Sequence, residues 1–267
     1  MIKIEDIIKN INFNIKKNFD IKVYKTITST NTVLKEMASK GAPEWTVLIA
    51  EEQTEGRGRM NRKFYSPSET GIYMSIILRP DIEVSQALFI TTMTAVAVSE
   101  AVDEVFEVNT GIKWVNDIYL NNRKICGILA ESALYAGKPK LDYTVVGIGI
   151  NVEMPNGSFP EEISGIAGSI IEEKRNCEKE ENDIRNMLVA KILTKMYKYY
   201  NQMDKGTYMD IYRNKSILVG KEVYVLNDEA KEKLKVIDID DSAALVVQHE
   251  NGRIDKLSSG EVSVRLF

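Results

Sequence analysis

The chain has 267 residues, 35 Lys and Arg against 39 Asp and Glu for a net charge of -4, and 44% hydrophobic with 8% aromatic residues. That balance excludes a collagen, a disordered tail and a disulfide scaffold, and it lacks the basic footprint of a general DNA binder. The length suits one large unit with a smaller one attached.

The N-terminus, MIKIEDIIKNINFNIKK, interleaves charge with apolar residues and has no cleavage signal, and no stretch reads as the roughly 18 apolar residues of a membrane span. Cys126 and Cys177 have no cysteine or histidine at metal-ligand spacing, which argues against structural zinc. The expectation is a reduced, cytoplasmic protein with no membrane partner.

Strands are predicted at Ile21 to Ile27 and Trp45 to Glu51, with a short helix between them over Ser29 to Lys40. Ser29, Thr30 and Asn31 can cap its start, and Gly41 sits where a helix-ending glycine belongs. Gly71 to Arg79 is apolar on both alternating faces, as a strand covered on both sides would be, and Ser85 to Val105 is a helix-length apolar run that should cover it. Gly111 to Leu120 and Lys124 to Glu131 read as strands joined by Asn121-Asn122-Arg123, whose asparagines suit a tight hairpin turn. Leu141 to Val152 adds a buried strand. Asp183 to Tyr200 places Ile184, Met187, Leu188, Ile192 and Met196 on one helical face.

After Ser216 the pattern changes to short strand-like runs at Leu218 to Leu226, Leu234 to Ile239, Ala243 to Gln248 and Val262 to Phe267, with Asn251-Gly252 as a turn signal. These predict a small β-barrel packed on the larger unit. His249, the single histidine, is expected to be exposed there, which leaves no histidine-based triad or metal centre to build.

Chemistry concentrates in a few segments. The loop EEQTEGRGRMNRKFYSPSETG alternates Gly56 and Gly58 with Arg57 and Arg59, offering bare amides and guanidinium forks that suit phosphate or carboxylate capture, and it is long enough to move as a lid. Neither this loop nor Gly147-Ile148-Gly149 completes a dinucleotide fingerprint, and no P-loop motif is present. Gly147 and Gly149 inside a buried strand imply either the close approach of a ligand or backbone, or a bend. Lys113-Trp114-Val115-Asn116-Asp117 puts a cation, an amide and a carboxylate on a largely apolar strand, with Lys113, Val115 and Asp117 on one face by alternation. Lys124 follows on the hairpin partner.

Five motifs occur in order: Ser29-Thr30-Asn31, Gln53 with Gly56-Arg57-Gly58-Arg59, KWVND at 113 to 117 with RKICGIL at 123 to 129, GIGINV at 147 to 152, and a C-terminal segment ending SGEVSVR. Together they resemble the biotin protein ligase family, the biotin-[acetyl-CoA-carboxylase] ligases, over nearly the whole chain. The resemblance implies an α+β fold, a mixed, largely antiparallel sheet covered by helices. It also implies a catalytic biotin- and ATP-binding domain at 1–215 and a small C-terminal SH3-like β-barrel at 216–267. The implied reaction joins biotin and ATP, with Mg2+, into biotinyl-5′-AMP and pyrophosphate, then passes biotin to a lysine of a biotin carboxyl carrier protein.

Carried over residue by residue, Ser29, Thr30, Asn31 and Gln53 would hold the biotin rings while Arg57, Gly58 and Arg59 close over the ligand and Lys124 meets its carboxyl. Arg59, Lys113, Asn116, Lys124 and Asn151 would face the nucleotide. The implied catalytic set is Lys124, Asp117, Lys113 and Arg59, with Asp117 orienting or deprotonating the acceptor lysine; the Mg2+ ligands are unassigned. The sequence departs from the family pattern at Asn61 (glycine), Phe64 (tryptophan), Val115 (proline) and Gly168 (threonine), and Arg265 matches a C-terminal arginine. Too few residues precede Ile21 for the winged helix of bifunctional members, so the expectation is a monofunctional ligase without a DNA partner, and the family's habits suggest a homodimer. The alternatives are a lipoate or octanoate ligase or transferase of the same fold, whose RRxSGGG-like motif is missing, and a non-catalytic biotin-sensing regulator.

Overall fold

The computed structural model describes residues 1–174, 181–203, 206–226, 231–258 and 263–266. Cys177, Val262, Phe267 and the side chain of Arg265 lie outside the described residues.

The apolar residues on both faces of Gly71–Leu78 explain its place at the middle of the structure: every residue of this strand, β3, is buried. It belongs to a seven-stranded sheet with β1 (Asp20–Ile27), β2 (Thr46–Gln53), β4 (Gly111–Lys113), β5 (Asp117–Leu120), β6 (Arg123–Leu134) and β7 (Leu141–Asn151), ordered β1-β2-β3-β7-β6-β5-β4. Only β1 and β2 run parallel, joined by the crossover helix α2 (Thr30–Ser39), and the other pairings are antiparallel. Ser29 stands at the N-cap position of α2, though its side chain makes no capping bond, and the helix ends before Gly41, whose φ of +89° continues no helix.

The two sheet faces are covered unequally. Leu34 and Ala38 of α2 pack with Leu48, Ile77, Tyr143 and Val145 in a small cluster, while Ile72, Met74, Ile76 and Leu78 point into the main core. That core also takes in α1 (Ile4–Asn10), α3 (Leu88–Phe106), α6 (Glu181–Tyr200) and α7 (Thr207–Asn214). Two further short helices, α4 (Glu161–Ser164) and α5 (Ile170–Lys174), follow β7.

Helix α3 corrects one expectation. Together with the 3-10 turn before it, Val84–Phe106 is by length and composition apolar enough to cross a membrane. Here it is a core helix: Ile90, Met93, Val96, Ala97, Val98, Ala101 and Val102 have no exposed surface. Helices α1 and α7 were not foreseen, although Tyr208, Met209 and Tyr212 form a buried stripe at helical spacing in α7.

The expected single strand Gly111 to Leu120 is also corrected. It breaks at residues 114–116, and β4 folds back on β5 as a hairpin with Lys113 opposite Asp117. These two side chains share a face through cross-strand pairing, whereas the expected alternation along one strand included Val115, which is buried in the core.

The C-terminal strands β8 (Glu222–Leu226), β9 (Lys231–Ile239), β10 (Leu245–Gln248), β11 (Ile254–Leu257) and β12 (Ser263–Leu266) form a second antiparallel sheet, ordered β11-β10-β9-β8-β12. Strand β11 was not foreseen, because its residues alternate exposed with half-buried and include Asp255 and Lys256. Val223, Val236, Ile239, Leu245 and Val247 join the same hydrophobic cluster as the first sheet. Polar ties join this sheet's end to the rest of the chain: Trp114 Nε1 donates to Ala243 O at 2.9 Å and Arg213 Nε of α7 to Ile239 O at 2.7 Å.

His249 is buried, against the expectation of exposure. Its ring nitrogens lie 2.7 Å from Glu232 and 2.7 Å from Asp255, so carboxylates from β9 and β11 satisfy both ends of the ring.

The β9–β10 turn carries an acid-sensitive group. Burial alone would raise the Asp240 carboxyl, but Lys256 at 2.8 Å, the Ser242 hydroxyl at 2.6 Å and the Ser242 and Ala244 amides outweigh it and bring the pKa down from 3.8 to about 2. A carboxyl lowered on folding stabilises the native state above its unfolded value and loses that contribution as pH falls through the folded one. We therefore expect the stability of the wild type to fall more steeply than that of Asp240→Asn between about pH 4 and 2. Urea titrations across that range measure it; parallel curves would remove Asp240 from the acid response.

Candidate active site

The site lies on the α2 side of the sheet and follows from register. Lys113 is opposite Asp117, Asp117 opposite Gly127, Gly127 opposite Gly149 and Gly149 opposite Tyr73, which makes one row across five strands. The adjacent row runs Leu129, Gly147, Ser75. Three glycines thus leave the centre of this face without side chains. The sequence reading left open whether Gly147 and Gly149 mark a bend or a close approach, and the structure gives a close approach. A Cβ on Gly147 would lie 2.2 Å from Asn31 Oδ1, and one on Gly149 would lie 2.5 Å from the Phe64 ring.

Over this floor is a cavity of about 480 Å³. One end is polar and nearly neutral. Ser29, Thr30 and Asn31 enter from the start of α2, and Gln53 Oε1 accepts from the Thr30 amide at 2.8 Å and hydroxyl at 3.1 Å. Gln53 Nε2 donates to Ser66 Oγ at 2.9 Å, and Ser75 Oγ lies 2.7 Å from Thr30 Oγ1 and 2.6 Å from Asn31 Oδ1. These bonds fix which groups remain to meet a ligand.

The other end is cationic. Lys124 Nζ lies 2.6 Å from Asp117 Oδ1, and Arg59 Nη1 donates to Asn116 Oδ1 at 3.0 Å. Burial lowers the Arg59 guanidinium from its ordinary value and Arg62 adds to this, against the opposing pull of Asp117. Lys113 Nζ sits 5.7 Å from the centre of the Tyr119 ring.

Lys124 reaches this face because of a bulge. Ile118 is opposite Cys126 but Tyr119 is opposite Lys124, so Ile125 is an extra residue in β6. With strict alternation Lys124 would share a face with Cys126, opposite Gly127; the bulge reverses that and turns it toward Asp117. The burial of Ile125 and Cys126 in the core is the other side of the same reversal. The chain then runs beside residues 166–168, with the Lys124 amide donating to Ile166 O and the Gly168 amide to Lys124 O. Asn151 Nδ2 donates to Gly168 O at 3.1 Å, which brings the glycine-strand end and the 167–170 segment to the same rim.

The loop over the cavity is tied down at several points. Phe64 rests on the glycine floor and meets Tyr73 edge-on, with centroids 6.4 Å apart. The Gly58 amide donates to Arg62 O and the Phe64 amide to Gly56 O, closing the loop on itself. Arg57 is exposed and pairs with Glu131 at 3.3 Å.

All the sequence-derived site residues, Ser29, Thr30, Asn31, Gln53, Arg57, Gly58, Arg59, Lys113, Asn116, Asp117, Lys124 and Asn151, line this cavity. Sequence reasoning missed Ser75, Ser66 and Glu131 as partners that set these side chains, and it gave Phe64 no place. Ser75 and Phe64 had a usable signal, since glycines two apart in a strand require something bulky or polar above them. Glu131 had none beyond its position five residues past Cys126.

The floor permits a stability test. Asn31 is held by Ser75 and by Glu131, to which Nδ2 donates at 2.9 Å, so it cannot easily yield to a methyl group. Gly147→Ala should cost about 1–3 kcal/mol through overpacking. A change in urea midpoint too small to resolve would mean that Asn31 swings away freely.

Comparison with known proteins agrees with this geometry. Residues 23–151 match the model of the "Biotin/lipoate A/B protein ligase family". The chain is 31% identical over 241 residues to the bifunctional ligase/repressor BirA of Bacillus subtilis, covering 90% of this chain and 73% of that protein. It is 30% identical over 240 residues to the biotin-[acetyl-CoA-carboxylase] ligase of Mycobacterium tuberculosis, covering 88% and 85%. Among solved structures it is similar to the biotin protein ligase from Aquifex aeolicus in complex with biotin and ATP, with a TM-score of 0.75, 28% identity and coverage of 93% of this chain and 99% of that one. A shared sequence over most of both chains and a shared fold lead to one assignment: this chain belongs to the biotin protein ligase family.

Proposed function

We propose that this chain is an ATP-dependent biotin protein ligase that forms biotinyl-5′-AMP and then transfers biotin to a lysine of a biotin carboxyl carrier protein. The observation that carries the reading is the two-ended cavity, with satisfied hydroxyls and amides at one end and Arg59, Lys113 and Lys124 around Asp117 at the other. A bicyclic urea with a carboxylate tail matches that division. Its ring polar groups meet Ser29, Thr30, Asn31 and Gln53, and its carboxylate lies at the cationic end.

In the first step a carboxylate oxygen attacks the α-phosphorus of ATP and pyrophosphate leaves. Both reactants are anionic, so the barrier is largely electrostatic, and Lys124, Arg59 and Lys113 stabilise the charge that builds on the phosphoryl oxygens. Asn116 holds Arg59, and Asn151 presents its amide oxygen at the nucleotide rim. In the second step the acceptor amine attacks the acyl carbon and AMP leaves. Asp117, on the face it shares with Lys124, draws in the incoming ammonium and accepts the proton that it must lose before it attacks as an amine. The loop carrying Arg57, Gly58, Arg59 and Phe64 excludes water, which would otherwise hydrolyse the mixed anhydride.

The residues also suit Mg2+ carried in on the nucleotide. Asp117 is the acidic side chain lining the cavity, and among the described residues no cluster of three or more His, Cys, Asp or Glu forms a cage. Mg2+ commonly uses one or two carboxylates together with substrate phosphates and water. Asp117 and the Asn151 amide oxygen would hold it, where it would screen phosphate charge.

The test is exchange of labelled pyrophosphate into ATP, with biotin, lipoate or octanoate added in turn. Exchange dependent on biotin is expected. Exchange with lipoate or octanoate alone would move the chain to the other branch of the family, and binding of biotin without any exchange would leave it a sensor.

A further inference from the structure

The most heavily engaged carboxylate near the cavity does not line it. Glu131 lies on β6 behind the polar end, with its side chain 16% exposed. Its two oxygens have different partners. Oε1 takes Lys35 Nζ at 2.8 Å and Arg57 Nη1 at 3.3 Å, while Oε2 accepts from Asn31 Nδ2 at 2.9 Å.

Each contact limits something the site depends on. An ionised carboxylate only accepts hydrogen bonds, so it turns the Asn31 nitrogen outward and leaves Oδ1 facing inward, where the Ser75 hydroxyl meets it over Gly147. Nδ2 also donates to Leu129 O, but at 3.3 Å, so the closer, charged acceptor is the stronger guard against an exchange of the amide oxygen for a donor. Arg57 belongs to the loop whose amides close on Arg62 and Gly56, whereas Glu131 and Lys35 belong to the sheet and α2. The Arg57–Glu131 pair therefore ties the loop to the sheet and, through Lys35, to α2.

We propose that Glu131 is a positioning residue that couples the ring-binding end to the loop, setting the Asn31 amide with one oxygen and latching Arg57 with the other. Burial opposes the charged form, but Lys35, Asn31 and Arg57 together keep the Glu131 carboxyl below its ordinary value, so the latch is charged at neutral pH. The ligand part of this inference rests on the proposed ligase function, while the latch itself does not.

The latch is tested without ligand. Amide hydrogen exchange at Gly58, Arg62 and Phe64 is measured in wild type, Glu131→Gln, Arg57→Gln, the double variant and Lys35→Gln. Glu131→Gln and Arg57→Gln should each speed exchange by about fivefold, the scale of one partly exposed ion pair, and the double variant should be no faster than either. Lys35→Gln should leave loop protection intact, since its tie joins two rigid elements. Unchanged protection in Glu131→Gln, or additive effects in the double variant, would overturn the latch.

A second measurement addresses Asn31. Glu131→Gln retains the near acceptor for Nδ2, whereas Glu131→Ala leaves it only the longer bond to Leu129 O, so biotin should dissociate faster from Glu131→Ala than from Glu131→Gln. Equal rates would remove the amide-setting role. A wild type that binds no biotin would defeat the ligase reading, and the exchange data would still decide the latch.

Discussion

Lys124→Ala should lower the single-turnover rate of adenylate formation by about 10²–10³-fold, the scale seen when one preorganised charge stabiliser is removed from a transition state. The ammonium sits 2.6 Å from Asp117 on a bulged, hydrogen-bonded strand, so it needs little rearrangement to meet charge developing at phosphorus. Biotin binding should weaken much less, because the ring contacts at the other end survive. The variant also leaves the Asp117 carboxylate beside the incoming phosphates without its cation, and this second cause of slowing can be separated. If repulsion by Asp117 dominated, Lys124→Ala with Asp117→Asn would recover most of the rate. We expect the double variant to stay slow, as it should if the missing cation is what matters. Rapid-quench measurement of adenylate in all three proteins decides between them.

Arg59→Gly should fail differently. Arg59 is half-buried and its hydrogen bond to Asn116 joins the loop to the hairpin of β4 and β5. A hydrogen bond from a charged group is worth about 1.5–3 kcal/mol, so its loss should speed escape of the finished adenylate by about ten- to hundredfold. The chemical step should suffer less than in Lys124→Ala, because Lys124 and Lys113 remain. Free biotinyl-adenylate should then appear in the filtrate after ultrafiltration and react with lysines on unrelated proteins. Retention like that of the wild type would mean that Arg59 does not secure the loop.

The residues of this site were named through the resemblance to the ligase family, and the motifs that carry it stand out because they are costly in a buried setting. Glycines two apart in a buried strand, arginines alternating with glycines, and a Lys-Trp-Val-Asn-Asp run in an apolar context each have a cost that a purely structural segment would avoid. Most strands of the sheet and the helix over Ser29 to Lys40 followed from period and turn signals, while the order of the strands did not. What the sequence did not disclose depends on register. The bulge at Ile125 that turns Lys124, the fold-back that sets Lys113 opposite Asp117, and the meeting of Glu131 with Arg57 all join residues through neighbouring strands or a loop closing in space. His249 was misread for a related reason: beside an Asn-Gly turn it looks exposed, and its burial depends on Glu232 and Asp255 arriving from two other strands. Helix α1 was hidden by charge interleaved with Ile4, Ile7 and Ile8, which α6 and the main core bury or partly bury.

The extra residue at Ile125 gives this part of the chain a parity. Two residues lie between Lys124 and Gly127 against one between their partners Tyr119 and Asp117, and which side chains face the cavity depends on that excess of one. A single deletion there could leave every functional residue in place by identity and still turn the lysine to the far side of the sheet. Across the neighbouring Asn121-Asn122 turn, a change of length would alter only the reach of the hairpin. Tolerance to insertion and deletion should therefore change abruptly within a few residues, and a scan of length variants would trace the site's boundary more sharply than a scan of substitutions.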